Sequence, residues 1–342
     1  MLYAGIDLHK HYVHITVINN AGYTVTEARL NNDRKIISNF FRRFDEPIKA
    51  VVEATFNWYW LVDLLDELQY SICLAHPAKL KAIVTAKCED DKISSMMLAQ
   101  LLRTDLIPAV YVFTPELRAL RDLCRTRSFL VHQRTAIVNN CHSTLLKYNI
   151  LAPATSKLYS NDGLAFLKNP ELQLHELFKF GLTCKSNLLN ELNEMIKHLE
   201  KKIRQNCIED SILKLLKTIS GIGDVLAPTI RYEIGDISRF KSAKKLSSYC
   251  RYTPKMHISG KTTKYYRTSK QGNAYLKWAC SEATTLAIRY DKDVRHRYHK
   301  LLTKKGKPVA LSIIGRNLTT VVYNVWMNQQ PYRGFKVPKE QN

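Results

Sequence analysis

The chain has 342 residues, too many for one ordinary domain and enough for two or three that each bury a core. Its apolar share of 45% and charged share of 24% are those of a globular protein, yet 52 Lys+Arg against 30 Asp+Glu leave a formal charge of +22, which points to a polyanionic partner. No apolar run approaches the ~18–20 residues of a membrane span, and Asp7, His9 and Lys10 stand where a signal peptide would be apolar, so nucleic acid in the cytoplasm is favoured over a membrane surface.

In chain order, Tyr3-Ala4-Gly5-Ile6-Asp7 and the alternating Tyr12–Ile18 read as a β-hairpin, and Asn19-Asn20-Ala21-Gly22 as a turn before more sheet. Residues 34–44 have helical spacing, and Ile48–Glu53 reads as a buried strand that ends in a carboxylate. A helix over 60–68, a strand over Ser71–Ala75 and a helix over 93–103, closed by Pro108, complete an α/β domain over about 1–110. From 115 to 148, Leu117, Leu120, Leu123/Cys124, Val131, Ile137/Val138, Cys141 and Leu145 recur at helical spacing among arginines, and 187–203 repeats the theme. Two long helices are expected there, as an antiparallel hairpin or a partner-binding coiled coil that forms a linker over 111–208. No regular pattern is legible over 151–183. A basic, mainly helical segment follows over 209–335, then a tail over 336–342. The eight cysteines are scattered without a CxxC pair, which favours reduced thiols over a zinc site.

The basic segment is uneven. Between 241 and 281 there are ten Lys/Arg and no acid, interleaved with Tyr249, Tyr252, Tyr265, Tyr266, Tyr275 and Trp278. That mixture suits phosphate neutralisation with stacking on bases or sugars, whereas a merely solvated face would carry both signs. Upstream, Gly221-Ile222-Gly223 lies between two apolar stretches, as in a helix-hairpin-helix turn whose amides approach a phosphate; a helix C-cap explains one such pair as well.

Asp7 follows one apolar strand, Glu53 ends another, and Asp90-Asp91 open a helix. Carboxylates gathered from strand ends and a helix can hold Mg2+, or Mn2+ in its place, against a phosphodiester. Each acid alone is more simply a turn or cap residue. Together, Gly5-Ile6-Asp7, Val52-Glu53-Ala54-Thr55 and Asp91-Lys92-Ile93-Ser94 ahead of Leu98-Ala99 resemble the RuvC-like (RNase H-like) domain of DEDD transposases of the IS110 and IS1111 insertion sequences, whose relatives include a pilin-gene inverting recombinase. The pattern departs at Ser94, where the family has its fourth acid. A natural variant, an inactivating substitution, or compensation by Asp90 would each account for it; a substitution that weakens catalysis is favoured.

Farther on, Glu233-Ile234-Gly235-Asp236, Lys244-Lys245-Leu246, Ser259-Gly260-Lys261 and Ser269-Lys270-Gln271-Gly272-Asn273 resemble the C-terminal transposase domain of the same family, in the same order. The resemblance implies a nucleophilic serine at Ser259 and a phosphoserine link to DNA. Gly221, Gly223, Lys244, Lys245, Lys261, Lys264, Arg267 and Lys270 are the candidate nucleic-acid contacts, and His257 is a candidate proton carrier, although a surface histidine is the plainer reading. It also implies double-stranded donor and target DNA, a guiding bridge RNA, a homodimer that assembles to a tetramer, and a nucleoid-associated place in a prokaryotic cell. A junction-resolvase-like nuclease that uses the acids alone and a non-catalytic DNA-binding protein are the competing readings.

Overall fold

The computed structural model describes residues 1–83, 90–153, 157–259, 262–268 and 271–334, with 255–259 and 262–268 described by their backbone alone. It divides into two compact units, Met1–Pro115 and Glu116–Asn342.

The first unit runs β1 (Leu2–Leu8), β2 (Tyr12–Ile18), β3 (Thr24–Asn31), α1 (Arg34–Phe41), β4 (Ile48–Glu53), α2 (Tyr59–Glu67), β5 (Ser71–Ala75), α3 (Pro77–Ile83) and α4 (Asp91–Arg103). The five strands form one mixed sheet in the order β3-β2-β1-β4-β5. β1 pairs antiparallel with β2, and β2 with β3, while β1–β4 and β4–β5 are parallel. Side chains alternate across a strand, so β1 sends Leu2, Ala4, Ile6 and Leu8 into one core with Val13, Ile15, Phe41, Leu61 and Leu65. The opposite face carries a smaller core of Val51, Ala75, Leu80, Leu98 and Leu101, covered by α4.

Gly5 is what lets α4 settle there. A Cβ on Gly5 would lie 1.9 Å from the Ser95 carbonyl oxygen and 2.5 Å from the Ala99 nitrogen, so the helix backbone rests directly on the strand. Ser95 is fully buried in that contact and its Oγ lies 2.8 Å from His14 Nδ1 and 2.7 Å from Thr16 Oγ1.

In the second unit, α5 (Pro115–Leu146) and α7 (Glu176–Asn206) are the two expected long helices, the latter beginning well before 187. They run antiparallel. Arg127 pairs with Glu200 at 2.7 Å, Arg134 donates to Asn193 at 3.0 Å, and Lys185 donates to Thr144 at 3.2 Å, so partners descend α7 as they ascend α5. Cys141 and Leu145 meet Leu182 and Leu189 in the seam. The stretch without a legible pattern contributes α6 (Asn161–Leu167), whose Leu164 and Leu167 join that cluster.

Helices α8 (Ser211–Lys217), α9 (Leu226–Ile234), α10 (Ala243–Tyr249), α11 (Ala274–Tyr290), α12 (Lys292–Lys305) and α13 (Lys307–Met327) follow, and most pack around Leu216, Ile230, Tyr232, Leu276, Ala279 and Trp326. The segment is mainly helical, as expected, and is interrupted by one antiparallel pair, β6 (Pro254–Ser259) and β7 (Thr262–Thr268), in keeping with the β-branched and aromatic run through Ile258, Thr262, Thr263, Tyr265 and Tyr266.

Glu233, on α9, is only 1% exposed and accepts hydrogen bonds from Arg121, Arg125 and Asn273. Arg121 Nε donates to it at 2.8 Å, Arg125 Nε at 2.6 Å, Arg125 Nη2 at 3.0 Å and Asn273 Nδ2 at 2.6 Å. Burial alone would push its pKa up, but the two guanidinium groups and Asn273 outweigh burial and hold the carboxyl below the ordinary value. The same Asn273 caps α11 by accepting from Leu276 N, so this knot ties α5, α9 and α11 together.

Candidate metal centre

The alternation that buries the even-numbered residues of β1 turns Asp7 to the face of Gly5, and the same parity on β4 puts Glu53 on the face of Val51. Both acids therefore stand at the ends of adjacent parallel strands on the side that α4 covers. Seating α4 on Gly5 brings its first residue, Asp91, to the same place. Among the described residues, Asp7, His9 and Asp91 each offer one ligand atom within 4.8 Å of the other two. Glu53 lies outside that trio but feels the Asp7 charge: burial first, then Asp7, raises its pKa. Burial likewise raises the Asp7 carboxyl, with His9 opposing and Asp91 adding to the rise. Asp91 moves the other way because Tyr12 Oη donates to its Oδ2 at 2.8 Å. Desolvated carboxylates that repel one another fit a cation, which would relieve both costs at once.

His9 is the residue that the sequence reading passed over. Its Nε2 lies 3.1 Å from Asp91 Oδ1 and 3.4 Å from Asp7 Oδ2, yet that buried nitrogen has no partner in hydrogen-bond geometry. The residue is held at several points. Its carbonyl accepts from Asn32 Nδ2 at 2.9 Å and Asn57 Nδ2 at 2.8 Å, its amide donates to Tyr12 O at 2.9 Å, and its ring stacks on Tyr12 at 4.6 Å. Its place two residues after a strand-end acid was the available signal.

Ser94 is half-buried on α4, one turn beyond Asp91. Asp90 is exposed and caps α4, its side chain accepting from Lys92 N, so it faces the helix's own amides and is not a member of the trio.

Of the candidate nucleic-acid contacts, Gly221 has φ +90°, and a Cβ there would lie 2.4 Å from the Ala283 carbonyl oxygen and 2.7 Å from the Ala287 nitrogen; its freedom is used for packing against α11. Gly223 is exposed, with nothing within 4 Å of a built Cβ. Lys244 and Lys245 are exposed on α10. Ser259 closes β6, its backbone paired with Thr262, and Lys264 and Arg267 lie on β7 with His257 paired to Lys264, all by backbone alone. Lys261 and Lys270 fall outside the described residues. Two cations of the basic stretch serve the fold: Arg251 donates to Gly272 O at 2.9 and 2.7 Å, and Lys277 Nζ stands 3.4 Å from the Tyr252 ring centroid. No helix among the described residues is long and apolar enough to cross a membrane.

Comparison with known proteins agrees with both halves of the chain. The IS110-type DEDD family model, described as Transposase, matches residues 4–150, and the model of the Transposase IS116/IS110/IS902 family matches residues 213–299. The "Probable family 20 transposase" of Pseudomonas aeruginosa is 23% identical over 92% of this chain and 93% of its own length. The transposase for insertion sequence element IS1111A of Coxiella burnetii is 22% identical over 76% of this chain and 72% of its own. The pilin gene-inverting protein of Moraxella lacunata is 31% identical over 41% of this chain and 46% of its own. Two family matches in the expected order, with relatives aligned along most of the chain, make this protein a member of the IS110 family of transposases.

Proposed function

We propose that this transposase cuts and rejoins double-stranded DNA through a phosphoserine intermediate, using a RuvC-like acidic site for a divalent cation and Ser259 as nucleophile. The observation that carries the first half is the meeting of Asp7 with Asp91 from the start of α4, beside Glu53 at the end of the neighbouring parallel strand. The strand order β3-β2-β1-β4-β5 supports a RuvC-like origin for that arrangement. Asp7, Glu53 and Asp91 would hold the ion, Mg2+ by family resemblance with Mn2+ as the alternative. A bound divalent cation would supply charge neutralisation during cleavage of the phosphodiester.

At Ser259 the Oγ–P bond forms as the P–O bond to the departing strand breaks; the serine proton passes to a base and the departing oxygen takes up a proton. The phosphoserine keeps the bond energy for rejoining. Exposed Lys244 and Lys245, with Lys261, Lys264, Arg267 and Lys270 of the acid-free stretch, would neutralise DNA phosphates. The family resemblance further supports a bridge RNA as guide and a homodimer that assembles to a tetramer.

Ser94 favours a second reading, a DNA-binding protein without catalysis, because it leaves the acidic set one carboxylate short. Denaturing capture of protein–DNA adducts separates the readings. The proposed function leaves a covalent phosphoserine adduct that Ser259→Ala abolishes, a simple nuclease leaves free nicked ends, and a silent binder leaves neither.

A further inference from the structure

We infer that His9 is a direct metal ligand through Nε2, standing in for the carboxylate missing at Ser94, and that the centre thereby prefers a first-row transition dication to Mg2+. The inference rests on the acidic site proposed above and adds a ligand and a selectivity to it.

Three observations carry it. His9 Nε2 is the ligand atom that completes the trio with Asp7 and Asp91, at 3.4 Å and 3.1 Å from their oxygens. The Nε2 atom is enclosed and meets no partner in hydrogen-bond geometry, so with the proton on Nδ1 its lone pair faces two carboxylates, a repulsion that a cation between them relieves. The residue is also placed before any ion arrives, its backbone carbonyl accepting from Asn32 and Asn57 and its ring stacking on Tyr12. Tyr12 positions two ligands at once, since its ring stacks on His9 and its hydroxyl donates to Asp91.

The exchange of a carboxylate for an imidazole has a chemical consequence. Mg2+ is hard, prefers oxygen and loses water reluctantly, and a site with one fewer anion and one nitrogen suits it less. Ions later in the first row gain from imidazole, in the order of Mn2+ below Co2+. Asp7 and Asp91 remain the anionic ligands, and Nδ1 must carry the imidazole proton when Nε2 binds.

Pulsed electron paramagnetic resonance of the full chain with Mn2+ tests this without reference to activity. The expected result is nitrogen-14 modulation from a directly bound imidazole, lost in His9→Gln together with a rise in the Mn2+ dissociation constant of roughly tenfold or more. Mg2+ should displace Mn2+ from the unaltered chain only in large excess, and more readily from His9→Gln. Bound Mn2+ that shows no nitrogen modulation, or modulation that persists in His9→Gln, overturns the role of His9 while leaving the acidic site standing. Full Mn2+ affinity in Asp7→Asn, or no Mn2+ binding by the unaltered chain, overturns the acidic site itself and His9 with it.

Discussion

Removing the charge of Glu233 tests whether the second unit is held by its buried ionic knot. Glu233→Gln keeps the shape of the side chain and the bond from Asn273, but leaves the guanidinium groups of Arg121 and Arg125 facing a neutral amide. Breaking a buried pair by neutralising one partner costs about 3–5 kcal/mol. Arg121 and Arg125 are 14% and 30% exposed, so water can take up part of their charge and the low end, about 3 kcal/mol, applies. That corresponds to a change on the order of a hundredfold in the local opening equilibrium. Hydrogen exchange of the amides of α9 and the first turn of α11 reads the change locally, which suits a chain of two compact units. The effect should also depend on pH. The folded carboxyl has a lowered pKa, so its stabilisation is fully present above the unfolded value and is lost as pH falls through the folded one. The difference between the two proteins should therefore shrink in acid. Equal exchange at neutral pH, or a difference that stays constant into acid, would refute the reasoning.

Three further outcomes are expected. If six of the ten Lys/Arg in the acid-free stretch engage phosphates, log affinity for duplex DNA should fall against log salt with a slope of about −5, and a slope near zero would reject that stretch as the binding surface. Gly5→Ala should destabilise the first unit by roughly 1–3 kcal/mol in thermal unfolding and weaken Mn2+ binding, since a methyl group 1.9 Å from the Ser95 carbonyl must displace α4 and carry Asp91 away from Asp7; unchanged metal affinity would uncouple the helix from the site. Ser94→Asp should tighten Mg2+ binding and raise strand exchange, because position 94 lies one helical turn from Asp91 and on the same side; equal values in both proteins would show that the site is already complete.

Much of this protein was legible from residue order alone. β4 and β5 have the bounds read from the sequence because short segments rich in apolar residues, cut off by Pro47 and by the turn before Ser71, have few other ways to be buried. The same parity that marks the core face of β1 and β4 also puts Asp7 and Glu53 on the opposite one. The net charge and the paired motifs pointed to nucleic acid and to the transposase family. What the sequence did not settle depends on contacts between distant residues. Strand pairing and the seat of α4 on Gly5 brought His9 beside Asp91, and no local pattern encodes a meeting of a loop residue with a helix start so far along the chain. That Asp90 caps α4 follows from where the helix begins, a boundary set by hydrogen bonding. Gly221 was spent on packing, and Glu233, one acid among many in the sequence, became the centre of a buried knot, since only tertiary structure decides which charges leave water together and must satisfy one another.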